Sequence, residues 1–265
     1  MDIRLVVSDM DGTLLLDDGS VPDDFWPLLA EMNRRGIAFV PASGRQLATL
    51  QRLFAERGGP DLSYIAENGT LVWRAGKVLS TTTLPDEAAL GVVEAVRTAT
   101  ADGANLGVVV CRAGGAVVER TDDPFVAECA RYYVQLDCVE DLAEHCRDVL
   151  KLAIFDFDDA ATAAERYFAD VDQQVVVSGA HWIDVMDRSA NKGHGVRALQ
   201  AALGVSAEQT AAFGDYLNDV EMLAAAGHSF AVANAHPAIA AQAGRRIPSN
   251  AEQGVIVALR EILDA

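Results

Sequence analysis

Asp9-Met10-Asp11-Gly12-Thr13 sets two carboxylates two positions apart at the end of a short apolar run. Residues so spaced in an extended segment point the same way, so both carboxylates can face one pocket. Gly12 lets the chain turn sharply away and keeps that pocket open. Clustered carboxylates repel unless a cation lies between them, and hard oxygen donors suit Mg²⁺. A second cluster, Phe213-Gly214-Asp215-Tyr216-Leu217-Asn218-Asp219, follows another apolar run. If the two runs are parallel neighbours, Asp215 and Asp219 converge on the pocket of Asp9. Either cluster alone also reads as an ordinary turn or helix start, where Asp, Asn and Gly are common. Two such clusters at equivalent strand ends are harder to explain that way.

Two further segments can hold a phosphate. Ala42-Ser43-Gly44-Arg45 follows an apolar run and opens a helix, so backbone N–H groups and the Ser43 hydroxyl suit an anion. The same arrangement without a ligand is a plain serine cap. Lys192, in Ala190-Asn191-Lys192-Gly193, starts a later helix, where a cation opposes the helix dipole unless it serves an anion. An exposed lysine is the alternative. The five histidines form no metal-binding pattern, and Ser43 lacks the G-x-S-x-G elbow of a serine hydrolase. Neither nucleotide-binding glycine motif occurs.

The elements that must position these residues alternate. Ile3 to Ser8 reads as a strand, and Phe25, Leu28, Leu29 and Met32 make one face of a helix ending at Gly36. Ile37 to Ala42 is a second strand, Gln46 to Arg57 a second helix and Tyr64 to Ala66 a third strand. Such βαβαβ order implies parallel strands. Leu71–Trp73 and Lys77–Leu79 read as a hairpin. The alternation resumes with a helix carrying Val196, Leu199 and Leu203, strand Thr210 to Phe213, a helix with Val220 and Leu223, strand Ser229 to Val232, and two more helices.

Between them lies a region of different character. A helix near Asp86 to Asp102 precedes strands at Leu106 to Cys111 and Ala116 to Glu119. A helix around Pro124 to Tyr133, a strand at Leu150 to Phe155 and another helix follow. Gln174–Ser178 and Trp182–Met186 then flank Gly179-Ala180 as a hairpin, which suggests an antiparallel sheet. The reading is an α/β core, 1–82 and 188–265, interrupted by an α+β insertion over 83–187.

The chain has 265 residues, half of them apolar, and a formal net charge of −18. The acidity argues against nucleic-acid or anionic-membrane partners, which need basic patches. No apolar run approaches the roughly 18 to 20 residues that span a bilayer. The start at Met1 goes straight into a strand-like segment, so a cytoplasmic enzyme is expected. Cys111, Cys129, Cys138 and Cys146 lack metal-ligand spacing and are expected to be buried, reduced thiols.

Asp9-x-Asp11-Gly12-Thr13, Ser43-Gly44, Lys192-Gly193 and Gly214-Asp215-x-x-Asn218-Asp219, in this order, resemble the haloacid dehalogenase superfamily of phosphatases. The insertion is similar to the α+β (C2-type) cap of its Cof-type, class IIB branch. Glu67-Asn68-Gly69 and Ala233-Asn234-Ala235 sit where that branch has similar residues. Ser178-Gly179 through Ile183-Asp184 to Asn191-Lys192-Gly193 is similar to broad-range sugar phosphatases. Many relatives have Gly where Ala233 stands and Ser where Asn191 stands, and position 45 varies.

The resemblance implies a Rossmann-like parallel-sheet core and hydrolysis of small phosphate monoesters, sugar phosphates foremost, through an aspartyl-phosphate on Asp9. It implies Asp11 as general acid and then base, and Mg²⁺ held by the Asp9 carboxylate, the Asp11 backbone carbonyl and Asp215, with Asp219 behind them. Ser43, Gly44, Lys192 and Asn218 are expected to hold the phosphoryl oxygens. The cap is expected to close over the site and choose the leaving group, and no obligate protein partner is implied. A phosphomutase of the same fold shares these residues. A receiver-like phosphoaspartate switch also clusters acids at strand ends, but needs neither a second acid two residues on nor a cap.

Overall fold

The computed structural model describes residues 2–58 and 62–264. The expected core also takes in Met1, Gly59, Pro60, Asp61 and Ala265, which lie outside the described residues. In chain order the first elements are β1 (Leu5–Asp9), α1 (Phe25–Arg34), β2 (Ala38–Ala42), α2 (Leu47–Phe54), β3 (Tyr64–Ala66), β4 (Leu71–Arg74) and β5 (Lys77–Thr81). Next come α3 (Asp86–Ala101), β6 (Leu106–Arg112), β7 (Gly115–Val118), α4 (Asp123–Ala130) and β8 (Leu136–Cys138). They are followed by β9 (Val149–Asp156), α5 (Ala160–Tyr167), β10 (Gln174–Val177) and β11 (Trp182–Met186). The last are α6 (Lys192–Leu203), β12 (Thr210–Gly214), α7 (Val220–Ala224), β13 (His228–Val232), α8 (Pro237–Gln242), β14 (Arg245–Ile247) and α9 (Gly254–Asp264). The chain divides into two compact units, one built from the chain up to Ser80 and from Asn191 onward, the other from Thr81–Ala190.

The first unit is a sheet in the order β14-β13-β12-β1-β2-β3-β4-β5. From β14 through β3 every pair is parallel, and β4 reverses direction against β3. β1 and β12 are buried along their whole length, as strands covered on both faces must be. Leu5, Val7, Val40, Ala212 and Ala231 pack on one face with Val196 and Leu199 of α6. Phe25 of α1 lies with its ring 4.8 Å from that of Phe39 on β2, and Phe54 of α2 completes an aromatic group.

This topology places the chemistry. The chain leaves β1 toward β2 and β3 on one side, then returns to β12 and builds β13 and β14 on the other. Strand order therefore reverses at β1, and in open α/β sheets ligands bind at the carboxyl ends beside such a point. Asp9 ends β1, Ser43 follows β2, and Asp215 follows β12.

The second unit is a six-stranded sheet in the order β10-β11-β9-β6-β7-β8. Its pairs are antiparallel except the last, since β8 runs parallel to β7. Val108, Val110, Leu152, Ile154, Ile183 and Val185 pack with buried positions of α3 and α5. Val109, Cys111, Ala153 and Phe155 on the alternate positions pack with Phe125 and Cys129 of α4. Strand alternation thus feeds two cores from one sheet.

Several expectations need correcting. The second helix stops at Phe54, its last buried residue, and does not reach Arg57. β8 and β14 were not expected, because Leu136-Asp137-Cys138 and Arg245-Arg246-Ile247 are edge strands of three residues, too short to show a period. All four cysteines are free, but Cys138 on β8 is exposed where burial was expected. No helix among the described residues is long and apolar enough to cross a membrane.

Candidate active site

β1 ends at Asp9, and the chain then coils through Met10–Leu14 in one tight turn. Gly12 makes the turn possible in two ways. Its φ of +77° lies in the left-handed region, and a Cβ there would stand 2.6 Å from Asp215 Oδ2. Thr13 Oγ1 donates to Asp215 Oδ1 at 3.0 Å, so the turn also orients the first carboxylate of the second cluster. From α8's side, Asn234 Nδ2 donates to the Gly12 carbonyl at 2.8 Å.

The structure brings together Asp9, Asp215 and Asp219, with one carboxylate oxygen of each within 4.8 Å of the others. Lys192, the first residue of α6, enters this group. Its ammonium donates to Asp9 Oδ1 at 2.5 Å and to Asp219 Oδ1 at 2.7 Å, and the residue is fully buried. The exposed-lysine alternative is therefore excluded. Asn191 caps α6, its side chain accepting from the His194 N–H. Asp219 is spent on construction: its second oxygen accepts from the backbone N–H groups of Asp215 (2.9 Å) and Tyr216 (3.3 Å).

Asp11 does not join the three carboxylates. Its side chain is more than half exposed and is held by Arg45, with Nε 2.8 Å from Oδ2 and a terminal nitrogen 2.5 Å from Oδ1. The rule that residues two apart point together fails here because the strand ends at Asp9. Ser43 is buried at the end of β2, but it caps no helix: α2 begins four residues later, after Gln46. Its N–H is committed to the Ile65 carbonyl, and its hydroxyl oxygen accepts from the Arg45 N–H. An anion could thus draw on the Ser43 hydroxyl proton but not on the Ser43 N–H. Asn218 is exposed, and its Nδ2 donates to Asn68 Oδ1 at 3.2 Å.

Thr13, Arg45 and Asn234 received no role from the sequence. A cation directly after Ser43-Gly44 in so acidic a chain was the available signal for Arg45. Thr13 and Asn234 stood within motifs, but their roles did not show, because each acts through a hydrogen bond to a residue more than 200 positions away.

One ammonium cannot balance three carboxylates. Burial pushes the Asp9 carboxyl well above the usual range; Lys192 pulls it back, and Asp219 and Asp215 raise it again. Asp215 is pushed up to about 6, first by burial and then by the charge of Asp219. Burial alone would drive the Lys192 ammonium down, but Asp219 and Asp9 outweigh it and hold Lys192 above its ordinary value. The carboxylates rise first because they are buried, and then because one ammonium leaves their mutual repulsion unbalanced. Three hard oxygen donors in a group short of positive charge fit a divalent ion such as Mg²⁺. Asp9 and Asp215 are the residues with capacity to hold it.

The model of the haloacid dehalogenase-like hydrolases matches residues 6–259. The chain is similar to the 5-amino-6-(5-phospho-D-ribitylamino)uracil phosphatase YbjI of Escherichia coli (strain K12), with 30% identity over 99% of this chain and 97% of that protein. Among solved structures it resembles SMU.1108c of Streptococcus mutans UA159, with TM-score 0.85, 23% identity and coverage of 99% and 100%. It also resembles the subclass IIB sugar phosphatase BT4131, with TM-score 0.81, 18% identity and 98% coverage of both chains. The chain belongs to the haloacid dehalogenase-like hydrolases and is a phosphoric monoester hydrolase of that family.

Proposed function

We propose that this chain hydrolyses small phosphate monoesters, sugar phosphates foremost, in a Mg²⁺-dependent reaction through an aspartyl-phosphate on Asp9. The observation that carries the reading is the meeting of Asp9, Asp215, Asp219 and Lys192 at the carboxyl ends of parallel strands. The Asp9 carboxylate attacks phosphorus, the P–O bond to the substrate alcohol breaks, and an acyl phosphate forms. Asp11, once it parts from Arg45 and takes a proton from solvent, gives that proton to the departing alkoxide, which is a poor leaving group without one. It then takes a proton from the water that cleaves the acyl phosphate, restoring Asp9 and releasing inorganic phosphate. Lys192 fixes one Asp9 oxygen, so attack falls to the other. The Ser43 hydroxyl, the Gly44 backbone and Asn218 hold phosphoryl oxygens, with Lys192 adding a point charge.

Asp9 and Asp215 would hold Mg²⁺, with the Asp11 carbonyl as a further donor; the ion would offset repulsion between carboxylate and dianionic phosphate. For the substrate class, YbjI is named for a phosphate carried on a ribityl chain, and BT4131 is a sugar phosphatase. The second unit is the element we assign to leaving-group choice.

The test is phosphate release from a panel of sugar, cofactor and nucleotide monophosphates, with Mg²⁺ or EDTA, for wild type and Asp9→Asn. Mg²⁺-dependent turnover in wild type, absent from the variant and highest on sugar phosphates, is expected. A folded wild-type protein that releases phosphate from no ester would overturn the reading.

A further inference from the structure

Glu67-Asn68-Gly69 has no assigned role, yet its conformation is costly. All three residues have left-handed φ, +49°, +57° and +94°, and all three are buried. Consecutive non-glycine residues in this region persist only where the surroundings enforce them, and such strain gathers at functional sites.

The surroundings here are three segments of the candidate active site. The Glu67 N–H donates to the Arg45 carbonyl at 3.1 Å and the Asn68 N–H to the Ser43 carbonyl at 3.0 Å, so the turn is clipped to the loop after β2. Gly69 lies against the start of α6: a Cβ there would stand 2.3 Å from the Asn191 carbonyl oxygen and 2.8 Å from Lys192 Cα. The Asn68 carboxamide lies over Gly44, where a Cβ would meet Oδ1 at 2.9 Å and Nδ2 at 3.1 Å. Its Oδ1 also accepts from Asn218 Nδ2. One side chain therefore touches two of the proposed phosphoryl-holding residues, while its neighbour abuts the backbone of a third.

We infer that Asn68 is a positioning residue for the phosphoryl group: its carboxamide spaces Asn218 from the Ser43–Gly44 loop so that both engage the same anion. The inference rests on the phosphatase reading for the identity of that anion. Asparagine also tolerates left-handed backbone, which explains the residue type at φ +57° but not a side chain seated between Gly44 and Asn218.

Asn68→Gly separates the two explanations, because glycine adopts this φ without strain and removes only the side chain. Orthovanadate binding is measured by calorimetry in Mg²⁺ for wild type, Asn68→Gly, Asn218→Ala and the double variant, with thermal midpoints as the check on folding. Asn68→Gly is expected to fold with an undiminished midpoint and to bind orthovanadate about 10- to 100-fold more weakly, the size of the one hydrogen bond to the anion that a misplaced Asn218 would lose. Its Mg²⁺ activation constant is expected to stay unchanged. The double variant is expected to lose less than the product of the single losses, since the residues act as a unit. Wild-type affinity in Asn68→Gly, or multiplicative losses in the double variant, would overturn the inference. Turnover is read separately. A wild type that binds orthovanadate but releases no phosphate leaves the Asn68 comparison decisive and removes only the hydrolase reading; a wild type that does not bind it removes both.

Discussion

At the scale of single residues, the site is a problem of charge balance. Asp215 has a folded-state value of about 6 against an ordinary 3.8, raised by burial and then by Asp219. A raised carboxyl favours the folded state while protonated, so its contribution is whole below about pH 4 and is lost as pH rises through about 6. The buried Asp9 carboxyl is shifted in the same direction. In EDTA, Asp215→Asn is therefore expected to match wild type in urea midpoint near about pH 4 and to exceed it near about pH 7.5, where only wild type carries the uncompensated charge. Mg²⁺ at about pH 7.5 should reverse the order, because it binds the folded wild type more tightly. A difference in EDTA that does not change with pH would refute this. The two acidic clusters were legible because carboxylates at strand ends have few structural reasons to repeat. The pairing of Asp11 with Arg45 was not, since it depends on where β1 stops and on a side chain reaching over from the loop after β2.

The elements were legible where burial imposes a period. Tyr64–Ala66 is the third strand, and Gln174–Val177 pairs antiparallel with Trp182–Met186 across Gly179-Ala180. The helical face of Phe25, Leu29 and Met32 is the buried face of α1, with Leu28 at its margin. What escaped were β8 and β14, three residues each, whose partners β7 and β13 supply the ladder that their own composition does not suggest. Parallel pairing of β8 also breaks the antiparallel pattern expected of its sheet, because α4 intervenes between β7 and β8 and returns the chain to the same end. The periodic elements should also carry the stability. Phe25 is fully buried on α1 against Phe39 and Phe54. Phe25→Ala is expected to cost about 3–5 kcal/mol by urea unfolding at an unchanged m-value. Turnover per folded molecule should change little, because the ring contacts of Phe25 are with Trp26, Phe39 and Phe54. A loss below about 1 kcal/mol would mean that the aromatic group repacks around the gap.

Over the whole molecule, the sequence places the insertion over 83–187, and the structure divides after Ser80 and after Ala190. Turn and loop residues mark such crossings, since a chain passing from one sheet to another must break its period there. The two units differ in one respect that can be measured. Unit one needs both ends of the chain: β1 from the start lies between β2 and the late strand β12. Unit two is a single continuous segment, and its sheet is packed on both faces by its own helices, α3 and α5 on one and α4 on the other. Its buried polar pair, Lys151 and Asp184, lies on neighbouring strands of that same sheet, 3.6 Å apart. A segment of this length with its own core is in the range of independent folding units. The excised fragment 81–190 is therefore expected to unfold cooperatively in urea, with coincident transitions by circular dichroism and tryptophan fluorescence, Trp182 being its reporter. An unfolded or non-cooperative fragment would mean that unit two draws its stability from the remainder of the chain. The reciprocal fragment, residues 1–80 alone, is expected not to fold, because β1 would then lack β12 along one whole edge.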